Sequence, residues 1–479
     1  MQDLKKLFLK GMGWGVIDNL SGTGINFIVG IILARQLSPQ EFGIVGIALV
    51  LIGISNVIID GGLSNALIRD SKAGEREYAT ALTLNITVGL TLYMLFFWGA
   101  PWVSAFYKIP QLTQVIRLLS LVLLFNSITI VPKARLSKAV DFRKQAIASL
   151  CSSLISAAVG ISMAFRGFGI WSLVAQQITR QSIYALCLWW QVHLLPRLGL
   201  NFRIAQHLLS FGLRILLSAL LDSLYNNLYY MFIGKLYSPR QLGLYTRAEQ
   251  FSSILAINFG MVLQKVSLPI LTQSHENEKK MQHTFIRLLN FSTLFSALLC
   301  FSLSATAEHL IVVLIGPKWI ESIDILRILC FAAFFQPLII VHQNILQVYG
   351  KAKLFLHLEI FKKSFAVCII VAGIAWSFTA LLWGIVLISV LSLMIHAYHS
   401  RKLIPAITLT LQLRSILRYL LSIGSWMGLV YIVGTFIENP YMGLSVQLGV
   451  LALGGGIMLR FIFKEERAQI YSLLKRQNA

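Results

Sequence analysis

Residues Ala34–Val45 read ARQLSPQEFGIV, and 200 positions later Gly234–Tyr245 read GKLYSPRQLGLY. Ser38, Pro39 and Gly43 match Ser238, Pro239 and Gly243, with Arg35 against Lys235 and Phe42 against Leu242. Two further matches keep the same order. Arg117-Leu118-Leu119 faces Arg327-Ile328-Leu329 at an offset of 210, and PKARL from Pro132 faces GKAKL from Gly350 at 218. The offsets drift slowly, as small loop insertions make them. The chain is therefore read as two copies of one unit.

What the unit consists of follows from the apolar runs around these turns. The 479 residues are 57% hydrophobic and 13% charged, with a mean hydropathy of +0.74. That charged share is about half of what a soluble domain carries. Runs of about 20 apolar residues, each enough to cross a bilayer, recur along the whole length. They fall near 11–34, 43–68, 79–105, 112–132, 146–165, 170–191, 208–233, 247–272, 285–315, 325–348, 357–377, 380–399, 416–437 and 443–463. The alternating ten-residue segments of a membrane β-barrel are absent. The reading is an all-α polytopic membrane protein of about 14 transmembrane helices.

Six spans separate equivalent points, so both copies cross in the same sense, as parallel repeats related by an axis along the membrane normal. The expected organisation is a six-helix lobe over 1–205, a second over 206–402, and helices 13 and 14 with a basic tail over 403–479. Two such lobes around a central cavity are the architecture of a substrate carrier. The short connections leave no room for a soluble catalytic domain. The basic N-terminus runs into its apolar segment without a small-residue cleavage site and is read as an uncleaved first span.

The 41 Lys and Arg against 19 Asp and Glu give a net charge of +22. Few aromatic and basic residues interleave on a polar surface, so nucleic acid is not an expected partner. The charges instead alternate between connections. Twenty-five lie on one side, including Lys5, Arg69, Arg135, Arg203, Lys279, Lys351, Arg401 and Lys464, against seven on the other, such as Arg35, Lys108 and Lys235. The positive-inside rule then places both termini in the cytoplasm. The five cysteines, Cys151, Cys187, Cys300, Cys330 and Cys368, sit singly in apolar runs and read as small buried hydrophobes. No metal site or cofactor is expected.

SPQEFG after span one, SPRQLGLYTRAEQ after span seven, FYKIPQLTQVIRLLS before span four and IGPKWIESIDILRIL before span ten carry a resemblance. With the repeated halves, they make the chain similar to the polysaccharide transporter family of the multidrug/oligosaccharidyl-lipid/polysaccharide (MOP) flippase superfamily, which shares the MATE-type scaffold. The resemblance implies a Wzx-type flippase moving undecaprenyl-pyrophosphate-linked oligosaccharide across the bacterial inner membrane by alternating access. Its expected partners are that lipid-linked oligosaccharide, membrane lipids, and the polymerase or chain-length machinery of the pathway.

Ionisable residues inside spans are costly and mark cavities or partners. Arg180, Arg214, Lys265 and Lys363 are the candidate cavity cations, since a pyrophosphate calls for charge-assisted donors. Arg214, Ser218, Asp222 and Tyr225 share a narrow helical arc, and Asp18 and Asn26 form a similar stripe. Asn26 and Asn226 are equivalent at the 200 offset. Asp18 and Asp222 are candidates for coupling or for local pairing with a neighbouring cation, and both readings stay open. Lys362 and Lys363 can also snorkel to the interface.

The rival readings are a cation-coupled drug exporter, a peptidoglycan-precursor flippase of the same superfamily, and a membrane-embedded polymerase or ligase. An enzyme needs catalytic carboxylates in a substantial loop, whereas Glu75 and Glu77, Glu276 and Glu278, and Glu465 and Glu466 stand among Lys and Arg in short loops.

Overall fold

The computed structural model describes residue 14 and residues 22–70, 73–192 and 198–461, and every regular element among them is helical. The chain divides into two compact units, Met1–Thr246 and Arg247–Ala479. The first contains α1 (22–36), α2 (Pro39–Asp60), α3 (Leu63–Arg69), α4 (Glu75–Tyr107), α5 (Leu112–Leu119), α6 (Leu121–Lys138), α7 (Phe142–Phe165), α8 (Ile170–Val192) and α9 (Phe202–Leu236). It closes with the first turns of α10 (Pro239–Ser274), which runs on into the second unit. There follow α11 (Glu278–Ile315), α12 (Ser322–Val348), α13 (Ala352–Trp376), α14 (Phe378–Leu403), α15 (Leu409–Thr435) and α16 (Pro440–Phe461).

Among the described residues ten helices are long and apolar enough to cross a membrane, or eleven with the bent α9. α8 and α13 reach the same length but carry polar interruptions, Gln176, Gln177, Arg180 and Gln181 in one and Glu359, Lys362 and Lys363 in the other. Such interruptions are what a helix lining something other than lipid shows. The chain is a multi-pass integral membrane protein. Asp18 lies outside the described residues, so its stripe with Asn26 is described only from Gly22 onward.

The repeated turns are helix starts. Ser38 caps α2 by a capping box: its hydroxyl accepts from the Glu41 amide at 3.3 Å, and Glu41 Oε2 accepts the Ser38 amide at 2.7 Å. Pro39 occupies the first turn, where its missing N–H costs nothing. In the second copy the Ser238 hydroxyl accepts from the Gln241 amide at 3.1 Å. The glycines serve a different purpose. A Cβ on Gly43 would overlap the Pro239 carbonyl, and one on Gly243 would overlap the Pro39 carbonyl. Each copy thus lays its glycine on the other copy's proline, and no larger residue fits.

A second close approach lies at the far end of α2. Gly61 and Gly62 take left-handed conformations, φ +51° and +71°, and separate α2 from α3. Against them α9 bends by 53° between Phe202–Ser210 and Ile215–Leu236. A Cβ on Gly62 would stand 2.7 Å from the Gly212 carbonyl oxygen, and one on Gly212 would overlap that of Gly61. α2 is therefore met by backbone contacts at both of its ends, from the first turn of α10 and from the bend of α9. In a membrane, where lipid is as apolar as leucine, such close packing rather than water exclusion holds helices together.

In the second unit α11 packs against α12, α15 and α16. The His309–Gln447 pair joins three of these: His309 Nδ1 pairs with Gln447 Oε1 at 3.0 Å, and its Nε2 with the carbonyl of Ile437, between α15 and α16, at 3.2 Å. The Gln447 amide donates to the carbonyls of Ala305 and Val430 at 3.3 and 3.2 Å. Gly434 and Gly443 make room, since a Cβ at either would overlap Gln447 or His309.

The tryptophans divide. Trp98, Trp102 and Trp190 are exposed near helix ends, as an interfacial belt requires. Trp319 is wholly buried, and Trp189 donates to the Ile128 carbonyl at 2.9 Å, so these two serve packing.

Gly43→Leu should force the two turns of the first unit apart. With Leu242→Cys as reporter, a position 0% exposed in the parent, thiol labelling should accelerate on the order of tenfold, a shift in local opening of about 1.4 kcal/mol. An unchanged labelling rate would show that the turns tolerate a side chain at Gly43.

Candidate functional site

α9 carries a polar stripe. Arg214, Ser218, Asp222 and Asn226 follow one another at four-residue steps, spanning about 18 Å of helix. Ser218, Asp222 and Asn226 are all exposed. Arg214 lies at the bend of α9, and its side chain is outside what the structure describes. Beside the stripe Tyr225 is half-buried, and the buried Tyr229 hydroxyl has no hydrogen-bond partner among the described residues. An apolar helix with an exposed stripe of hydroxyl, carboxylate and amide can present donors and acceptors to a hydrated head group.

Asn26 on α1 is half-buried and donates to its own helix at the Gly22 carbonyl, 2.7 Å away. Arg180 is half-buried on α8, with Gln176 buried one turn before it. On the far side of the same unit Arg135 pairs with Glu75 at 2.8 Å and lies 4.1 Å from the Tyr78 ring. Lys138 donates to the Asp70 carbonyl at 2.7 Å. These tie the basic end of α6 to α4 and to the turn after α3. The repeat-related Arg117 is likewise engaged, its Nε donating to the Phe97 carbonyl at 3.0 Å.

In the second unit Lys265 is exposed on α10 and Lys363 is half-buried on α13. Next to Lys363 is a polar group that sequence reasoning missed. Glu359 Oε1 accepts from Lys362 Nζ at 2.7 Å and from Gln343 Nε2 at 3.0 Å, which joins α13 to α12. Both members of the ion pair are about one-fifth exposed. Lys362 is thus held by a partner one turn away on its own helix.

A further layer runs through α12 and α14. His342, fully buried, pairs through Nδ1 with Ser400 Oγ at 3.0 Å, and Ser400 donates back to the His396 carbonyl at 2.9 Å. Asn344 donates to Ser267 on α10 at 2.5 Å. The signal for this layer was in the sequence, as the run His342-Gln343-Asn344 breaks an otherwise apolar span. His342 Nε2 and His396 Nε2 have no partner among the described residues. No group of three or more His, Cys, Asp or Glu able to hold a metal occurs among the described residues.

The expected cations are therefore distributed, with Arg180 and Arg214 in the first unit and Lys265 and Lys363 in the second. Each unit supplies an interrupted helix, α8 or α13, and each has one of its cations at the interruption.

Residues 32–324 match the family described as "Polysaccharide biosynthesis protein". The chain is 23% identical to the teichuronic acid biosynthesis protein TuaB of Bacillus subtilis strain 168, over 100% of this chain and 99% of that one. It is 25% identical to the succinoglycan biosynthesis transport protein ExoT of Rhizobium meliloti strain 1021, over 68% of this chain and 66% of that one. Among solved structures it is similar to a lipid II flippase MurJ in an inward closed conformation, at TM-score 0.72 and 12% identity, covering 94% of this chain and 100% of that chain. An inward-facing multidrug resistance MATE family transporter of the MOP superfamily matches at TM-score 0.62 and 14% identity, over 83% and 98% of the two chains. The fold is that of these transporters.

The Glu359–Lys362 pair yields a direct test. Glu359→Leu should strand a lysine in the membrane and lower the unfolding midpoint of the purified protein, at a cost of about 3 kcal/mol. Glu359→Leu with Lys362→Leu should restore most of it. If the double variant is no better than the single one, the pair does not contribute as a unit.

Proposed function

Because the chain belongs to the polysaccharide biosynthesis protein family, we propose that it is a flippase carrying undecaprenyl-pyrophosphate-linked oligosaccharide from the cytoplasmic to the periplasmic leaflet of a bacterial inner membrane. One observation carries the reading: a member of that family has the fold of a lipid II flippase over 94% of its length. Relatives are named for the biosynthesis of teichuronic acid and for succinoglycan biosynthesis transport, which supports a saccharide cargo. The protein acts as a transporter, not as an enzyme.

The mechanism is alternating access of two six-helix lobes, 1–205 and 206–402, with both termini cytoplasmic. Arg180, Arg214, Lys265 and Lys363 neutralise the pyrophosphate, where Arg supplies a planar fork and Lys a mobile point charge. Asn26, Ser218 and Asn226 hydrogen-bond sugar hydroxyls, and the polyprenyl tail stays in lipid. Asp18 or Asp222 couples the cycle to a cation, or pairs with a neighbouring cationic side chain. Polymerase and chain-length proteins receive the product.

The glycine-on-proline contact fits such a cycle. It joins the turns that the charge asymmetry places on the periplasmic side, and it must open for the head group to leave there. Contacts made by backbone carbonyls over glycine release without unpairing buried charges, so opening costs little beyond the packing itself.

Export complementation tests the reading in a host lacking its own polysaccharide flippase. The parent chain should restore surface glycan. Arg180→Gln, Arg214→Gln, Lys265→Gln and Lys363→Gln, at matched membrane abundance, should each reduce export at least about tenfold, the loss of one charged hydrogen bond, while lipid-linked intermediate accumulates. Normal export by all four would make these cations structural. Failure to assemble the lipid-linked glycan without this protein would favour an enzyme.

A further inference from the structure

In the second unit α11, α12 and α15 leave a groove of about 370 Å³. The cause is local sequence. Gly424 and Gly428 stand one turn apart on α15, and a Cβ at either would meet nothing within 4 Å. Helix packing therefore does not demand these glycines; they leave a trough. Its walls are aromatic and flexible side chains, with Phe301 against Phe331 at 5.4 Å between ring centroids and Met427 behind. Phe331 and Tyr431 are 42% and 40% exposed, so the trough opens toward the surroundings of the protein.

The head of the trough is charged. Arg327 lies 5.0 Å from the Tyr431 ring centroid, with Nη2 3.4 Å from Glu308 Oε2 and Nη1 3.2 Å from Asp324 Oδ1. The arginine side chain is 25% exposed and faces the groove, while Glu308 and Asp324 are 57% and 85% exposed beyond it. One cation below two more exposed carboxylates does not suit a purely anionic ligand, which the carboxylates repel. It also does not suit a simple cation, which would meet the guanidinium. It complements a zwitterion whose phosphate lies inward and whose ammonium lies outward, above an apolar tail.

We propose that this groove is a binding site for a single aminophospholipid of the surrounding bilayer. One acyl chain lies over Gly424 and Gly428, the phosphate accepts from Arg327, and the ammonium sits beside Glu308 and Asp324. The ammonium retains N–H donors for both carboxylates, which a quaternary choline head group lacks. Because α11 ends at Ile315, α12 begins at Ser322 and α15 ends at Thr435, the head group lies at one face of the membrane and the tail in the adjoining leaflet. The site is distinct from the residues assigned to cargo and holds whether or not that assignment is right.

Native mass spectrometry of the full chain, in detergent with equal amounts of phosphatidylethanolamine and phosphatidylglycerol of identical acyl chains, tests the proposal. The parent should retain phosphatidylethanolamine about threefold more than phosphatidylglycerol, within the range that partly exposed charge pairs support. Glu308→Gln with Asp324→Asn should invert that preference. Gly428→Leu, whose side chain has room to fit, should reduce retention of both lipids. Equal retention by the parent, an unchanged ratio in the double variant, or a Gly428→Leu chain that keeps its lipid would each overturn the proposal.

Discussion

The first unit depends on a backbone contact that no side chain can replace. Gly43 rests on the Pro239 carbonyl and Gly243 on the Pro39 carbonyl. A carbonyl fixed in the first turn of a capped helix cannot rotate aside as a side chain would, so the obstacle to any larger residue is rigid. The two capping groups matter for this reason. Ser38 with Glu41, and Ser238 with the Gln241 amide, hold the prolines where the glycines meet them. With Gly212 against Gly61 and Gly62 at the other end, α9 keeps its course along α2 although its own middle is polar.

Polar residues then become affordable inside the membrane only where something answers them. Lys362 has Glu359, Arg327 has two carboxylates, and His309 has Gln447. Asn26 returns its amide to its own helix. On α9, Ser218, Asp222 and Asn226 are exposed over about two turns.

Much of this was legible in the residues. Hydropathy alone located the long helices, because twenty apolar residues in succession leave the backbone no other way to satisfy its hydrogen bonds in lipid. The repeated Ser-Pro and Gly were visible as a pattern, but the purpose of the glycines was not, since it depends on which turn meets which. Glu359 escaped for a related reason: it stands three residues before Lys362, yet only the fold shows that Gln343 of another helix completes the group. Trp319 stands near the end of an apolar run, where interfacial rings gather, and is instead fully buried. Proximity in sequence to an end does not decide which way a ring turns.

The reciprocal contact also bears on how such a chain arose. Residue i of one copy touches j of the other while i of the other touches j of the first, which is the relation across a two-fold interface between identical subunits. A single unfused repeat would make that contact with a second copy of itself, before the two were joined in one chain. In such a homodimer one mutation would strike both glycines together. After fusion Gly43 and Gly243 mutate separately, so the two turns are free to become unequal, and Glu41 against Gln241 is a difference of that kind.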